Sequence, residues 1–176
     1  YGFTFKGGTI PYELRAETGR VLSRWGDAGW GGIVESGKKA GHFGDELVEA
    51  VAEMILRRWR PDPPPSWVTC IPSRNHPTLV PDFAHRLAQR LGLIFQPVIT
   101  KLNDNKPQKY QQNRYHQCAN LDGVFGIDGP LPRGPVLLVD DMVDSAWTLT
   151  VAAILLRQAG CPRVYPVALA ATSDGD

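Results

Sequence analysis

The chain has 176 residues, of which 43% are hydrophobic and 21% charged, and its formal net charge is +1. That suits one domain, or one domain with a small appendage, with enough apolar material for a core, and it argues against disorder. A near-zero charge gives no bulk attraction for nucleic acid or an anionic membrane, so any anion site must come from local arrangement.

Cys70, Cys118 and Cys161 are far apart and form no C-x-x-C pair. This argues against a disulfide framework and a zinc site, and a reducing cytoplasm is expected. No apolar run approaches the ~20 residues that cross a bilayer, so no membrane partner is expected, and no signal peptide opens the chain. The chain begins with Tyr1, in mid-pattern, and is expected to be a piece of a longer polypeptide.

Residues 1–44 are glycine-rich and aromatic without a long period, and read as an N-terminal subdomain or linker ahead of a main domain over 45–176. A helix is expected over 13–25, stopped by Gly26 and Gly29. Residues 45–60 predict the first clear helix, with Leu47, Val48, Val51, Met54, Ile55 and Trp59 on one side. Asp45 and Glu46 suit its positive end, and Arg57, Arg58 and Arg60 its negative end. The prolines of 61–65 stop it. A short buried strand is expected over 67–71, a loop over 72–77, a helix over 79–91 closed by Gly92, and a strand over 93–99. Residues 101–122 are polar and lack an apolar period; a stretch this long inside a compact domain is usually functional or mobile. A short strand follows over 124–127, a strongly apolar one over 136–139, a helix over 149–159 ended by Gly160, and a last strand over 164–170. Strands alternating with helices predict an α/β fold with a parallel sheet covered on both faces. Ligands bind such sheets at strand carboxyl ends, which singles out the loops after Ile71, Ile99 and Val139.

The segment over 136–148 reads Val-Leu-Leu-Val-Asp-Asp-Met-Val-Asp-Ser-Ala-Trp-Thr. An apolar strand runs into Asp140 and Asp141, a small polar loop follows, and a helix begins. Two acids at the end of a buried strand are costly unless they meet cations or hydroxyl donors. A ribose diol supplies donors, and a Mg²⁺ shell supplies charge. The loop Asp144, Ser145, Ala146, Trp147, Thr148 opens a helix, where backbone N–H groups and two hydroxyls can wrap a phosphate. An isolated acid pair would more simply end a strand and cap a helix.

The segment resembles the phosphoribosyl pyrophosphate motif of type I phosphoribosyltransferases: four apolar residues, two acids, two variable residues, Thr or Asp, Ser or Thr, Gly, any residue, Thr. The resemblance implies a parallel-sheet type I phosphoribosyltransferase fold with a small N-terminal extension. It implies that Asp140 and Asp141 hold the ribose hydroxyls and reach Mg²⁺ only through ribose or water. Asp144, Ser145, Ala146, Trp147 and Thr148 would hold the 5-phosphate. Asp144 resembles the acid of the 6-oxopurine branch that assists proton transfer, and is the candidate catalytic residue. Ala146 departs from the pattern, standing where the family usually has Gly. If that position needs φ > 0, the methyl costs about 1 kcal/mol or more.

The same resemblance places a pyrophosphate loop after Ile71. Arg74 can fork onto phosphate oxygens there, and Ser73 adds a donor; the plainer reading is a Pro-containing turn with a solvated Arg. It also implies a mobile loop carrying Lys101, Lys106, Lys109 and Arg114, which would neutralise the leaving pyrophosphate and exclude water; the plainer reading is a solvated loop. Gln108, Arg114, Asn120 and Phe125 loosely echo the ComF-type branch. Trp25 and Trp30 read as packing residues, Cys70 as buried and inert, and the histidines are not spaced as metal ligands.

Four phrases, Asp27-Ala-Gly-Trp-Gly, Gly44-Asp-Glu-Leu-Val, Ile71-Pro-Ser-Arg-Asn-His-Pro and the segment from Asp140 to Thr148, together resemble the phosphoribosyltransferase-like domain at the C-terminus of some bacterial RecQ-type DNA helicases. That implies a parent ATP-dependent helicase acting in repair or recombination, whose helicase chemistry lies elsewhere, because no G-x-x-x-x-G-K-[ST] loop occurs here. Three functions stay open: a transferase using phosphoribosyl pyrophosphate with Mg²⁺, a silent sensor of that ligand or a nucleotide, and a DNA-binding accessory module using the cations of 101–114.

Overall fold

The computed structural model describes residues 2–3, 10–102 and 125–172. Its main sheet contains β1 (Gly2–Phe3), β2 (Gly19–Arg24), β3 (Trp67–Cys70), β4 (Ile94–Phe95), β7 (Val136–Val143) and β8 (Val164–Ala171), in the order β1-β2-β8-β7-β3-β4. All neighbours pair in parallel except β1 with β2. β5 (Ile99–Lys101) and β6 (Phe125–Ile127) form a separate antiparallel pair. The expected α/β architecture with a mostly parallel sheet is therefore present.

Helices cover both faces. On one lie α1 (Trp30–Ala40), α2 (Asp45–Glu53) with its π-helical continuation Met54–Trp59, and α3 (Leu79–Leu91). On the other lies α4 (Trp147–Gln158). The apolar half of β7 serves both: Leu137 and Val139 join the α1–α3 core, while Val136 and Leu138 join the α4 core. This is why the strand reads as a continuous apolar run with no alternation. α2 starts at Asp45, and α3 matches its expected bounds, with Gly92 closing it in the left-handed conformation.

Residues 13–25 differ from expectation. A 3₁₀ turn occupies Tyr12–Leu14, and Gly19–Arg24 is a strand. Val21 packs into one core and Leu22 against the other. The segment completes a ladder with β8, which Glu17 and Trp25 extend by donating their amides to Val164 and Ala171 at 2.9 Å each. Pairing with a partner 147 residues away overrides the local tendency. Part of the 1–44 stretch is thus hydrogen-bonded into the same sheet as the 45–176 region.

α1 was also unexpected, because three glycines weaken its helical signature. Two of them are required: a side chain at Gly37 would run into Phe43 and the His42 carbonyl oxygen. A side chain at Gly31 would run into the Arg24 carbonyl oxygen, so α1 sits directly against the end of β2. The single strand expected over 93–99 divides in two, β4 pairing with β3 and β5 with β6. Pro97, which has no amide to donate, lies between them. β7 continues past Val139 to Val143, so both acids lie within the strand, Asp140 opposite Ala168. Among the described residues, no helix is long and apolar enough to cross a membrane.

Candidate functional site

Strand order fixes where a crevice can open. β3 continues through α3 to β4 on one side, and β7 continues through α4 to β8 on the other. β3 and β7 are hydrogen-bonded neighbours, so two adjacent strands send their chains in opposite directions and over opposite faces. Their carboxyl ends form the switch point of the sheet. The Ile71 amide donates to Val139 at 2.9 Å and closes the last rung between them. From this point leave the loop of Ser73 and Arg74 and the turn of Asp144, Ser145 and Ala146.

The acid pair lies just below that edge. The Asp141 amide donates to Asp140 Oδ1 at 2.8 Å. Lys38 of α1 reaches across and places its ammonium 3.0 Å from Asp141 Oδ2, and only 13% of the Asp141 side chain is exposed. Burial pushes the Asp140 carboxyl well above its usual range, the neighbouring Asp141 charge and hydrogen bond add to this, and the Asp141 amide and Lys38 partly offset it. Asp140 keeps a partly exposed surface although protein surrounds it. On the adjacent strand, burial first and the Asp140 charge second push the Cys70 thiol up to about 12. That thiol is buried and stays protonated, in line with the inert role expected of it.

The turn after β7 is tight. Ala146 stands at φ 59°, ψ 8°, in the left-handed conformation, and caps α4. The position where the resemblance expects Gly does adopt a backbone that favours Gly. Ala146 O accepts from the amide and hydroxyl of Thr150, which anchors the first helical turn. Among the described residues, the amides of Ser145, Ala146, Thr148 and Leu149 donate to no main-chain carbonyl, as expected for a helix start. Asp144 and Ser145 are exposed, Thr148 is half-buried, and Trp147 is half-buried against the α4 core. The surface of the turn therefore offers two hydroxyls and several donors at the positive end of a helix.

In the facing loop, Ser73 Oγ accepts the His76 amide at 3.3 Å, and exposed Arg74 donates from Nη2 to Leu102 O at 3.1 Å. Arg74 thus ties the loop after β3 to the end of β5, next to half-buried Lys101. Lys106, Gln108, Lys109, Arg114 and Asn120 lie outside the described residues; Phe125 is buried in β6. Lys38 was not foreseen. Its only sequence signal is the Lys38-Lys39 pair in a glycine-rich stretch, and nothing local shows that α1 crosses β8 to reach β7. Two clefts lie away from this edge. One of about 440 Å³ is lined by Arg20, Trp30, Glu53, Arg58 and Trp59, and one of about 840 Å³ by Leu56, Arg60, Pro61 and Leu91 among others. Neither includes the acid pair or the turn.

Among solved structures, the chain is similar to an adenine phosphoribosyltransferase from Leishmania tarentolae, at 14% identity and a TM-score of 0.48, over 78% of this chain and 74% of that one. It is similar to an orotate phosphoribosyltransferase from Aeropyrum pernix at 20% identity and a TM-score of 0.46, over 80% of this chain and 63% of the other. It is also similar to a purine phosphoribosyltransferase from Pyrococcus horikoshii at 25% identity and a TM-score of 0.45, over 74% and 75%. No family model matches the chain, and no curated protein does.

Proposed function

We propose that the switch-point site binds phosphoribosyl pyrophosphate and that the domain is of phosphoribosyltransferase type. The observation that carries this reading is a coincidence at one strand edge: the acid pair, the turn after β7 whose Ser145, Ala146 and Thr148 amides donate to no main-chain carbonyl among the described residues, and the loop of Arg74. In this reading Asp140 and Asp141 accept the two ribose hydroxyls. The amides and hydroxyls of Ser145 and Thr148 take the 5-phosphate, with Ala146 and Trp147 shaping the turn. Arg74 and Ser73 take the pyrophosphate, joined by Lys101, Lys109 and Arg114. Polar groups meet polar groups throughout, which is the condition for burying them.

Mg²⁺ would arrive with the pyrophosphate and lower its charge. Among the described residues, no three His, Cys, Asp or Glu side chains gather as a ligand set, and Asp141 already holds an ammonium. The residues suit a cation carried in by an anionic ligand, touched by the acids through ribose or water. The reaction is displacement at the anomeric carbon: a nitrogen nucleophile forms the new C–N bond, the C–O bond to pyrophosphate breaks, and Asp144 accepts the nucleophile's proton. Catalysis consists mainly of positioning and charge stabilisation. The four phrases that resemble the domain at the C-terminus of RecQ-type helicases support a reading in which this domain serves a parent helicase.

Calorimetry with Mg²⁺-phosphoribosyl pyrophosphate, followed by a pyrophosphate-release assay over a panel of nucleobases, tests the reading. Binding with release is expected for a transferase. Binding without release identifies a sensing module at the same site. No binding, with salt-sensitive DNA binding, overturns the reading in favour of an accessory DNA-binding domain.

A further inference from the structure

We infer that Lys38 is a specificity residue of the acid pair: by holding Asp141 from α1, it makes the pair a site for a sugar diol borne on an anionic ligand and not for a bare divalent cation. The inference rests on the phosphoribosyl reading and extends it to a residue outside every motif of the sequence.

The argument begins with charge. Asp140 and Asp141 are consecutive, linked by the Asp141 amide on Asp140 Oδ1, and sit within a strand of the main sheet. Two adjacent carboxylates without a counter-ion attract a divalent cation, which carboxylate oxygens bind readily. They also repel a phosphorylated sugar. The Lys38 ammonium, 3.0 Å from Asp141 Oδ2, changes this. It lowers the local charge of the pair by one unit. A positive charge beside the pair discourages a metal ion, and one fewer negative charge favours a polyanion.

Geometry supports the same role. Lys38 lies in the last turn of α1, a helix anchored at its other end where Gly31 meets the Arg24 carbonyl. The ammonium therefore comes from an element seated on the sheet. It is 31% exposed, and Asp141 13%, so the contact is screened less than a surface pair. It engages one named oxygen of Asp141. Lys39, Arg86 and Arg90, also paired on this face of the sheet, meet acids of α1, α2 and α3 and not the acid pair.

The test compares the full chain with K38M and K38R, using ribose 5-phosphate and Mg²⁺ alone as separate calorimetric ligands. In K38M, affinity for ribose 5-phosphate is expected to fall about tenfold and affinity for Mg²⁺ to rise about tenfold, from one unit charge at contact range in a high effective dielectric. K38R keeps the cation and restores both. Thermal unfolding checks that each variant is folded. Equal affinities in K38M and the unaltered chain overturn the inference, as does weakening for both ligands together, even in a folded variant. If the unaltered chain binds no ribose 5-phosphate, the phosphoribosyl reading itself falls and takes the inference with it, whereas binding that ignores Lys38 removes the inference alone.

Discussion

Thr150 donates its hydroxyl to Ala146 O at 2.7 Å, and its amide donates to the same oxygen at 3.0 Å. Two bonds pin a residue whose backbone, at φ 59°, is costly for any side chain. A β-carbon there costs roughly 1–2 kcal/mol. Glycine removes that cost, but its freer unfolded chain returns about 0.5–1 kcal/mol. A146G is therefore expected to leave stability unchanged or raise it by about 0.5 kcal/mol, although Ala→Gly usually destabilises a helix start. A146V, with a branched side chain, should lose about 2 kcal/mol or more. Urea unfolding of the two variants decides this. A loss of about 1 kcal/mol in A146G would contradict the left-handed turn.

Two neighbouring glycines of α1 should respond oppositely. A methyl at Gly31 meets the Arg24 carbonyl oxygen, a backbone atom that cannot step aside, and Asp27 Cβ lies 3.2 Å away. G31A should therefore cost about 1–3 kcal/mol as overpacking, and should displace α1 and Lys38 with it. At Gly32 the nearest neighbour is Asp27 O at 3.4 Å, ordinary contact, so G32A should gain up to about 1 kcal/mol of helix propensity. Denaturant midpoints measure both. Ribose 5-phosphate affinity should follow G31A and ignore G32A.

Asp140 should destabilise the fold at neutral pH. Its folded-state carboxyl is pushed well above the usual range, by burial first and by Asp141 second. Between the unfolded value, near 4, and the higher folded one, the native state holds a proton that the unfolded state has lost. Stability then falls as pH rises through this window. D140N removes the dependence: it should melt higher than the unaltered chain at pH 7, and the gain should vanish near pH 4. The same variant should bind ribose 5-phosphate worse, since an amide offers one acceptor oxygen where a carboxylate offers two. A melting profile with no pH-dependent gain would show that Asp140 is not strained by burial.

The strands β3, β7 and β8 and the helices α2 and α3 were legible because their apolar residues repeat locally. Asp140, Asp141 and the turn that follows were legible because strand, acids and loop are contiguous. What escaped depends on distant partners. β2 is a strand because β8 lies beside it, and nothing within residues 19–24 states that. Lys38 meets Asp141 only because α1 is seated on Arg24 and crosses β8. A helix with three glycines hides its own period. The left-handed backbone at Ala146 lay between these cases: the position asked for glycine, and the sequence supplied a residue that masks the request.

Arg74 separates the two halves of the ligand. It lies in the loop after β3, opposite the turn after β7, and its guanidinium reaches Leu102 O. Charge-assisted bonds to phosphate are worth about 1.5–3 kcal/mol. R74A should weaken pyrophosphate binding tenfold or more and leave ribose 5-phosphate within about twofold. R74K should recover part of the loss, since an ammonium gives charge without the planar fork. Competition calorimetry with each half-ligand measures the split. Equal weakening of both would mean that Arg74 acts by holding the loop to β5 and not by touching pyrophosphate.

Asp144 decides between turnover and sensing. Its carboxyl is exposed at the start of the turn, one residue beyond the strand that carries the acid pair. A group that accepts a proton only as the C–N bond forms contributes to the transition state and little to the bound ground state. D144N should then lower the turnover number 100-fold or more, with affinity for phosphoribosyl pyrophosphate within about twofold. Steady-state pyrophosphate release, paired with calorimetry on the same variant, separates the two quantities. If binding and turnover fall together, Asp144 shapes the phosphate turn and takes no proton. If the unaltered chain binds without release and D144N binds equally well, the acid has no part in either, and the turn serves recognition alone.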